Sequence, residues 1–279
     1  MLNFADIVAL RTQEELTVEV HAAGLLGEEP ALIEQVRAGA LDLTKASASV
    51  LGGVDPRYRV FDLPFLLRDK RHWQQVVTGP IGEEILTTRS APVLGLTFYD
   101  AGARSFYGQR SVLHPNDLRG LTIRVQPSPS TVRMVELLEA TPRLLPWNQV
   151  YLALQTHLVD AAENNPTALT LGRHAEVVKY FSMTEHTMVP DVLLVSRQTW
   201  DSLPERQRSI MKSAAQESAL LQSILWEQAE AESLSTAQRM GIIFQDPNRE
   251  AFARKLAPLR EEFAAVDTLG DLIARVERA

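Results

Sequence analysis

The chain has 279 residues, 45% of them hydrophobic, a net charge of −7 and no cysteine. That is enough apolar material to bury a large core, with two domains the reasonable expectation. The acidic balance leaves no electrostatic footprint for DNA or RNA, the missing cysteines exclude disulfides and thiolate chemistry, and no run approaches the ~18 apolar residues of a membrane span.

Leu2 to Thr12 carries apolar residues at Leu2, Ala5, Ile7, Ala9 and Leu10 in the manner of an amphipathic helix. No capping residue precedes it, so the chain reads as starting inside a helix, and no basic segment followed by an apolar one marks a secretory signal. Leu16 to Val20 alternates as a strand, a helix is expected from about Glu29 to Ala38 with Gly39 as its stop, and Ala40 to Thr44 reads as a second strand. Strand, helix, strand is the pattern of a parallel crossover unit. Ligands in open α/β sheets lie at the carboxyl ends of strands, which places Lys45 and Ser47 where a ligand would sit. A surface lysine on a serine-rich loop is the plainer reading of the same residues. Tyr58 to Leu67 is an apolar stretch that its prolines keep from forming one helix. Helices follow at about Asp69 to Val77 and Ile81 to Thr88, then a strand at Val93 to Tyr99. No glycine-rich phosphate loop occurs.

Two strand-like runs then carry arginines. Ala103 to Tyr107 holds Arg104 beside aromatic residues. In Leu121-Thr122-Ile123-Arg124-Val125 the alternation points Arg124 away from the face that Leu121, Ile123 and Val125 would bury, so a guanidinium is held on a stiff element. His114 to Gly120 between them is turn-rich. A helix from about Ser130 to Glu139 and a strand near Arg143 to Leu145 precede Trp147 and Asn148, where Asn148 suits the N-cap of a helix through His157. Trp147 then has two readings of equal weight, a staple against Leu152 or a ring for a ligand. His157 and Asp160 have the spacing of a metal pair but no third ligand. In Glu163-Asn164-Asn165-Pro166 the proline biases Asn165 to an extended conformation, and an Asx turn is the default reading of that amide row.

Val177 to Ser182 and Asp191 to Ser196 read as strands, and Ser202-Leu203-Pro204-Glu205 as a capping box opening a helical stretch to Met240. A rod of that length, about 55 Å, exceeds one small domain and is expected to cross two. A strand from Gly241 to Phe244 and helices over Arg249 to Phe263 and Asp267 to Arg278 close the chain.

A family resemblance is carried by Phe61-Asp62-Leu63-Pro64-Phe65-Leu66, Gly102-Ala103-Arg104-Ser105-Phe106-Tyr107, Asp117 through Val125, Val150 through Pro166, and Trp200-Asp201-Ser202-Leu203-Pro204. In this order and spacing, along nearly its whole length, the chain resembles the DctP-type solute-binding subunits of TRAP (tripartite ATP-independent periplasmic) transporters. The resemblance implies an α/β, two-lobed periplasmic-binding-protein-like fold with hinge strands and one long helix spanning both lobes. Residues 1–101 and 190–229 would form the N-terminal lobe, and 102–189 and 230–279 the C-terminal lobe. The chain opens where the family's first helix ends, so the first strand of the N-terminal lobe is expected to be missing.

The function implied is that of a periplasmic, monomeric receptor that captures a small carboxylate-bearing ligand, a sugar acid or a dicarboxylate, and delivers it to TRAP membrane subunits. No cofactor and no turnover are implied. In that family the arginine of the Ile-Arg-Val strand pairs with the ligand carboxylate, which carries to Arg124. The arginine of Gly-Ala-Arg carries to Arg104 as a second contact, the asparagine before Asn-Pro to Asn164, and the aromatic before the helix to Trp147. Lys45, Ser47 and Asp191 fall at positions that vary with the ligand. A guanidinium presents a planar fork that matches a carboxylate, which lysine does not reproduce. An enzyme acting on a carboxylate substrate, or a ligand-sensing adaptor for a signalling protein, are the alternatives. The first has no GxSxG, HExxH or paired-carboxylate motif beside the arginines.

Overall fold

The computed structural model describes residues 1–87 and 92–279. Helix α1 (Leu2–Thr12) forms where expected but turns a different face inward: it buries Phe4, Val8 and Thr12 and leaves Leu2 and Leu10 exposed. The strand expected next does not form. Leu16 and Val18 pack on a buried cluster, as the alternation requires, but among the described residues the segment has no neighbour to ladder with, and an extended chain without one is not a strand. After α2 (Glu29–Arg37) the amides of Ala40 and Leu41 both donate to the Gln35 carbonyl. Those residues close the helix, so the strand expected from Ala40 begins at Leu43, as β1 (Leu43–Ser47). It pairs antiparallel with β8 (Asp191–Ser196), and the parallel crossover unit is absent.

Helix α3 (Ala48–Leu51) and a 3-10 helix at Pro56–Asp62 follow. Then come α4 (Lys70–Thr78), capped by the Asp69 side chain, and α5 (Pro80–Leu86). Thr88, the expected end of that helix, lies outside the described residues. Strand β2 (Val93–Tyr99) pairs with the other side of β8, giving a three-stranded sheet of order β1-β8-β2.

A second, six-stranded sheet is built from β3 (Arg104–Gly108), β4 (Thr122–Val125), β5 (Thr141–Leu144), β6 (Ala161–Asn164), β7 (Tyr180–Thr187) and β9 (Ile243–Gln245). Its order is β5-β4-β6-β3-β7-β9, with β4 parallel to both its neighbours. Strand β7 starts later than expected because His174–Glu176 is a 3-10 turn. Helices α6 (Pro129–Leu137), α7 (Val150–Gln155) and α8 (Thr167–Leu171) connect its strands.

Residues 100–103 and 188–190 pass from one sheet to the other side by side, because Tyr99 is in register with Asp191 and Arg104 with Thr187. After α9 (Arg197–Ser202), the 35-residue α10 (Glu205–Arg239) makes a further crossing, about 50 Å long. Its first half packs on α1 and β2 through Met211, Ala214 and Ala215. Its second half packs on α8, where the Thr170 and Ser233 hydroxyls meet at 2.6 Å. The expected capping box is not made: the Ser202 hydroxyl donates to the Thr199 carbonyl within α9, and Pro204 stands at the cap of α10. The architecture is mixed α/β, two sheets spanned by one long helix.

Helix α11 (Arg249–Ala264) packs on α6 and β7. Helix α12 (Asp267–Arg278) packs on α11 and also against the 3-10 helix at 56–62 and α5. His72 Nε2 is 2.8 Å from the Val276 carbonyl there, and Arg68 donates to the Glu277 carbonyl at 3.0 Å.

The junction of α4 and α5 offers a test of close packing. A Cβ on Gly82 would lie 2.2 Å from the Val77 carbonyl oxygen and 2.9 Å from its Cα, backbone that does not swing aside. Alanine outranks glycine in a helix interior by about 1 kcal/mol, yet over-packing outweighs that preference here. Gly82→Ala is expected to lower the unfolding free energy by about 2 kcal/mol. Urea unfolding measures it, and a stabilised variant would contradict the close apposition of the two helices.

Candidate functional site

The alternation in β4 holds. Ile123 and Val125 are fully buried on one face, and Arg124 leaves on the other. That other face is not open solvent, since Arg124 is only 2% exposed. Its Nε donates to the Leu145 carbonyl at 3.0 Å, and its Nη1 is buried with no hydrogen-bond partner. Burial, and to a lesser degree the Arg104 charge, lower its pKa, against the opposing pull of Tyr107, Glu163 and Glu29. An arginine remains protonated regardless. The result is a buried cationic donor whose demand the described residues do not meet. Such a group costs free energy comparable to a lost charged hydrogen bond, and it is retained where a partner arrives from outside.

Arg104, expected as a second contact to the acid, is already engaged. Its Nε and Nη2 grip Glu163 Oε2 and Oε1 at 2.6 and 2.7 Å, Nη2 also reaches the Glu163 carbonyl at 2.8 Å, and Nη1 donates to Asn164 Oδ1 at 2.9 Å. Burial alone would raise the Glu163 carboxyl, but Arg104 and then His186, at 3.6 Å, hold it down at about 2. A guanidinium on β3 beside a glutamate on β6 finds its charge partner within the protein. Asn164 Oδ1 also takes the Asn165 amide at 2.9 Å, which leaves its amide nitrogen free of those bonds. Asn165 makes the Asx turn, its Oδ1 accepting from the amide and hydroxyl of Thr167 at 3.1 and 2.6 Å.

Lys45 and Ser47 lie within β1, not in a loop after it. Lys45 pairs with Asp191, and the Ser47 amide donates to Glu29 Oε1 at 3.3 Å. Burial works against the Lys45 ammonium, but the Asp191 and Glu29 carboxylates outweigh it and raise its pKa. The Glu29 pKa is raised by burial and by Asp191, while Lys45, the Ser47 amide and Arg124 act to lower it. The Arg124 charge is thus near enough to act on Glu29, so the end of the first sheet and the arginine of the second lie within electrostatic reach of each other. Sequence reasoning missed Glu29 because an acid in the first turn of a helix is the ordinary complement of the helix dipole.

Trp147 opens a 3-10 turn, Trp147–Gln149, so Asn148 does not cap α7, which starts at Val150 without a side-chain cap. Leu152 is 59% exposed and makes no staple, and the indole itself is 43% exposed. Its ring leans on that of the buried His174 at 5.0 Å between centroids, and His174 Nδ1 is 2.9 Å from the Tyr107 hydroxyl. Burial, and then Arg124, push His174 down to about 4. It is neutral near pH 7 and adds no second cation behind Arg124. Asp160 is occupied by the Thr122 amide at 2.8 Å, so its spacing from His157 has a structural origin. A hollow of about 170 Å³ among Lys70, Asp100, Gly102, Glu185 and Glu230 is separate, and none of the site residues lines it.

Two sheets are thus joined by side-by-side crossings, and the second carries a buried arginine whose Nη1 has no partner among the described residues. Residues 1–267 match the family model for bacterial extracellular solute-binding protein, family 7 (DctP). The chain belongs to this family. It is similar to the crystal structure of a TRAP periplasmic solute-binding protein from Xanthobacter autotrophicus Py2 with bound β-D-galacturonate, at TM-score 0.97 and 36% identity over 99% of this chain and 93% of that one. A counterpart from Roseobacter denitrificans with bound β-D-glucuronate matches at TM-score 0.96 and 32% identity, again over 99% and 93%. A solute-binding protein of Chromohalobacter salexigens is 31% identical over 264 residues, 94% of this chain and 79% of the relative. The DctP fold is two-lobed.

The Arg104–Glu163 pair sets an acid limit on this DctP protein. A carboxylate whose pKa is depressed on folding stabilises fully above its unfolded value and loses that contribution as pH falls through the folded one. For Glu163 the window runs from roughly 4.3 down to about 2. Glu163→Gln is expected to cost about 3–5 kcal/mol at pH 7, since it leaves a buried guanidinium opposite a neutral amide. Unfolding followed against pH should show the parent's advantage over the variant shrinking between pH 4 and pH 2. A constant gap across that range would remove the ion pair from the account.

Proposed function

We propose that this DctP protein is a periplasmic receptor for a sugar acid of the hexuronate class, held between its two lobes and passed unchanged to the membrane subunits of a TRAP transporter. The observation that carries the reading is the unpartnered Nη1 of Arg124, a donor that a ligand carboxylate completes. On this reading Trp147 lies against an apolar face of the sugar ring, and the Asn164 amide nitrogen donates to it. Arg104 acts through Asn164, whose amide it orients, and does not grip the acid itself.

The opposite wall favours hydroxyls over a second acid group. Glu29 and Asp191 stand there against the single ammonium of Lys45, and Asp191 already pairs with it. A further carboxylate would meet like charge, whereas sugar hydroxyls donate to Glu29 and Asp191 and accept from Lys45. Each charge-assisted hydrogen bond contributes roughly 1.5–3 kcal/mol, so a few of them with an aromatic wall reach the ~8 kcal/mol of micromolar affinity. The bound proteins from Xanthobacter and Roseobacter support the same class, since their ligands are hexuronates. Working as a monomer in the periplasm is part of this proposal.

Calorimetry with D-galacturonate, D-glucuronate and succinate tests it. Uronates should bind and succinate should not. Arg124→Ala is expected to weaken uronate binding by about 2–5 kcal/mol while leaving the melting temperature close to that of the parent, because the side chain's charge is unpaired without ligand. Arg124→Lys should recover little, as a point charge lacks the fork. Equal affinity of parent and Arg124→Ala for the uronates would sink the assignment.

A further inference from the structure

We propose that Asp62 is a positioning residue that ties the two walls of the cleft together from behind. Its two carboxylate oxygens accept from two different structural units. One takes the hydroxyl of Ser49, in α3 directly after β1, the strand that carries Lys45 and Ser47. The other takes the hydroxyl of Ser128 at 2.8 Å, the N-cap of α6 directly after β4, the strand that carries Arg124. Ser49 and Ser128 are fully buried and Asp62 is 1% exposed. One carboxylate thus joins the first sheet's ligand wall to the second's, at a place no ligand reaches.

The setting argues that the bridge is there for geometry. Phe61, the residue before Asp62, belongs to one continuous apolar cluster with Phe98 of β2, Phe106 of β3, Val125 of β4 and Met134 of α6. A carboxylate in such a core is costly to keep, and a hydrophobic residue of similar size would remove that cost. The groups facing Asp62 are the Ser49 and Ser128 hydroxyls, Arg104 on β3 and Glu163 on β6. Burial, the largest influence, pushes its pKa up to about 6 against the two hydroxyls and Arg104, with Glu163 pushing the same way as burial. Two of its neighbours are hydroxyls that both donate and accept. A protonated acid or an amide therefore still spans the gap, and an alanine does not.

The inference rests on the cleft reading above only for its affinity arm. Asp62→Ala, Asp62→Asn and Ser49→Ala are compared with the parent, each carrying spin labels at Gln74→Cys and Glu136→Cys, which the absence of native cysteine makes clean. Without ligand, Asp62→Ala and Ser49→Ala should broaden the distance distribution between the lobes, while Asp62→Asn keeps the parent's. With D-galacturonate, Asp62→Ala should bind at least tenfold more weakly and Asp62→Asn within threefold of the parent. A purely structural role would lower the melting temperature but move neither the distances nor the affinity of the folded protein. Parent-like distances in both Asp62→Ala and Ser49→Ala would overturn the proposal, and Ser49→Ala decides if Asp62→Ala fails to fold. Failure of the parent itself to bind uronates, with the broadening still seen, would unseat the ligand and leave the strut standing. The melting temperature adds a check: a raised carboxyl pKa makes the parent lose stability as pH rises from about 4 to about 6, a slope that Asp62→Asn should lack.

Discussion

A buried guanidinium must be met by an acceptor, and the way two arginines on one sheet are met organises this protein. Arg104 and Arg124 are both almost wholly enclosed. Arg104 meets a carboxylate on the adjacent strand and becomes part of the scaffold. Among the described residues Arg124 meets a single backbone carbonyl, and one of its terminal nitrogens meets no partner. The difference lies in the neighbours. Strand β6 places Glu163 beside Arg104, whereas Ala162 is the residue in register with Arg124. A small apolar neighbour on that side leaves the charge uncompensated within the chain, and an uncompensated charge is what a receptor for anions requires.

Much of the element order was legible. The alternation of β4 and the strand at Val93–Tyr99 follow from apolar period. The extents of α1 and α10 were legible too, although the faces those helices bury, Phe4 and Val8 in one and Met211, Ala214 and Ala215 in the other, are not the apolar stripes that the spacing suggests. The failures share a cause, which is that local pattern does not reveal who the partner is. Residues 16–20 have a strand's alternation and no ladder. Ser202 and Glu205 have a capping box's spacing, but the hydroxyl finds the Thr199 carbonyl first. Asn148 has a cap's chemistry in front of a turn that is not yet the α-helix. The pairing of β1 with a strand nearly 150 residues away is of the same kind, since no short window contains both members.

The site shows the same division. Arg124 could be singled out because a charged residue on a buried strand contradicts its surroundings, and contradictions of that kind concentrate at functional positions. Arg104 has the same signature and a different outcome, decided by Glu163, some sixty residues on in the chain. Glu29 and His174 carried no signal, since an acid beginning a helix and a histidine in a turn are ordinary. Their roles come from tertiary neighbours: Glu29 from the Ser47 amide and Asp191, His174 from Tyr107 and the indole of Trp147.

In the proposed function two sets of residues divide the work of recognition. Arg124 would supply attraction for one carboxylate, and it is insensitive to pH across the range in which proteins fold, because an arginine does not titrate there. On that reading the facing residues Glu29, Asp191 and Lys45 are two acids and one base, a set that would repel a second carboxylate and accept hydroxyls. The proposed selectivity for a sugar acid over a dicarboxylate would then arise from repulsion as much as from contact. That discrimination needs the walls at a defined separation, because like charge acts over several ångströms while hydrogen bonds do not. A shared core with a hydrogen-bonded carboxylate inside it provides such a separation more firmly than apolar packing alone, since a hydroxyl must meet its acceptor within a narrow range of distance and angle.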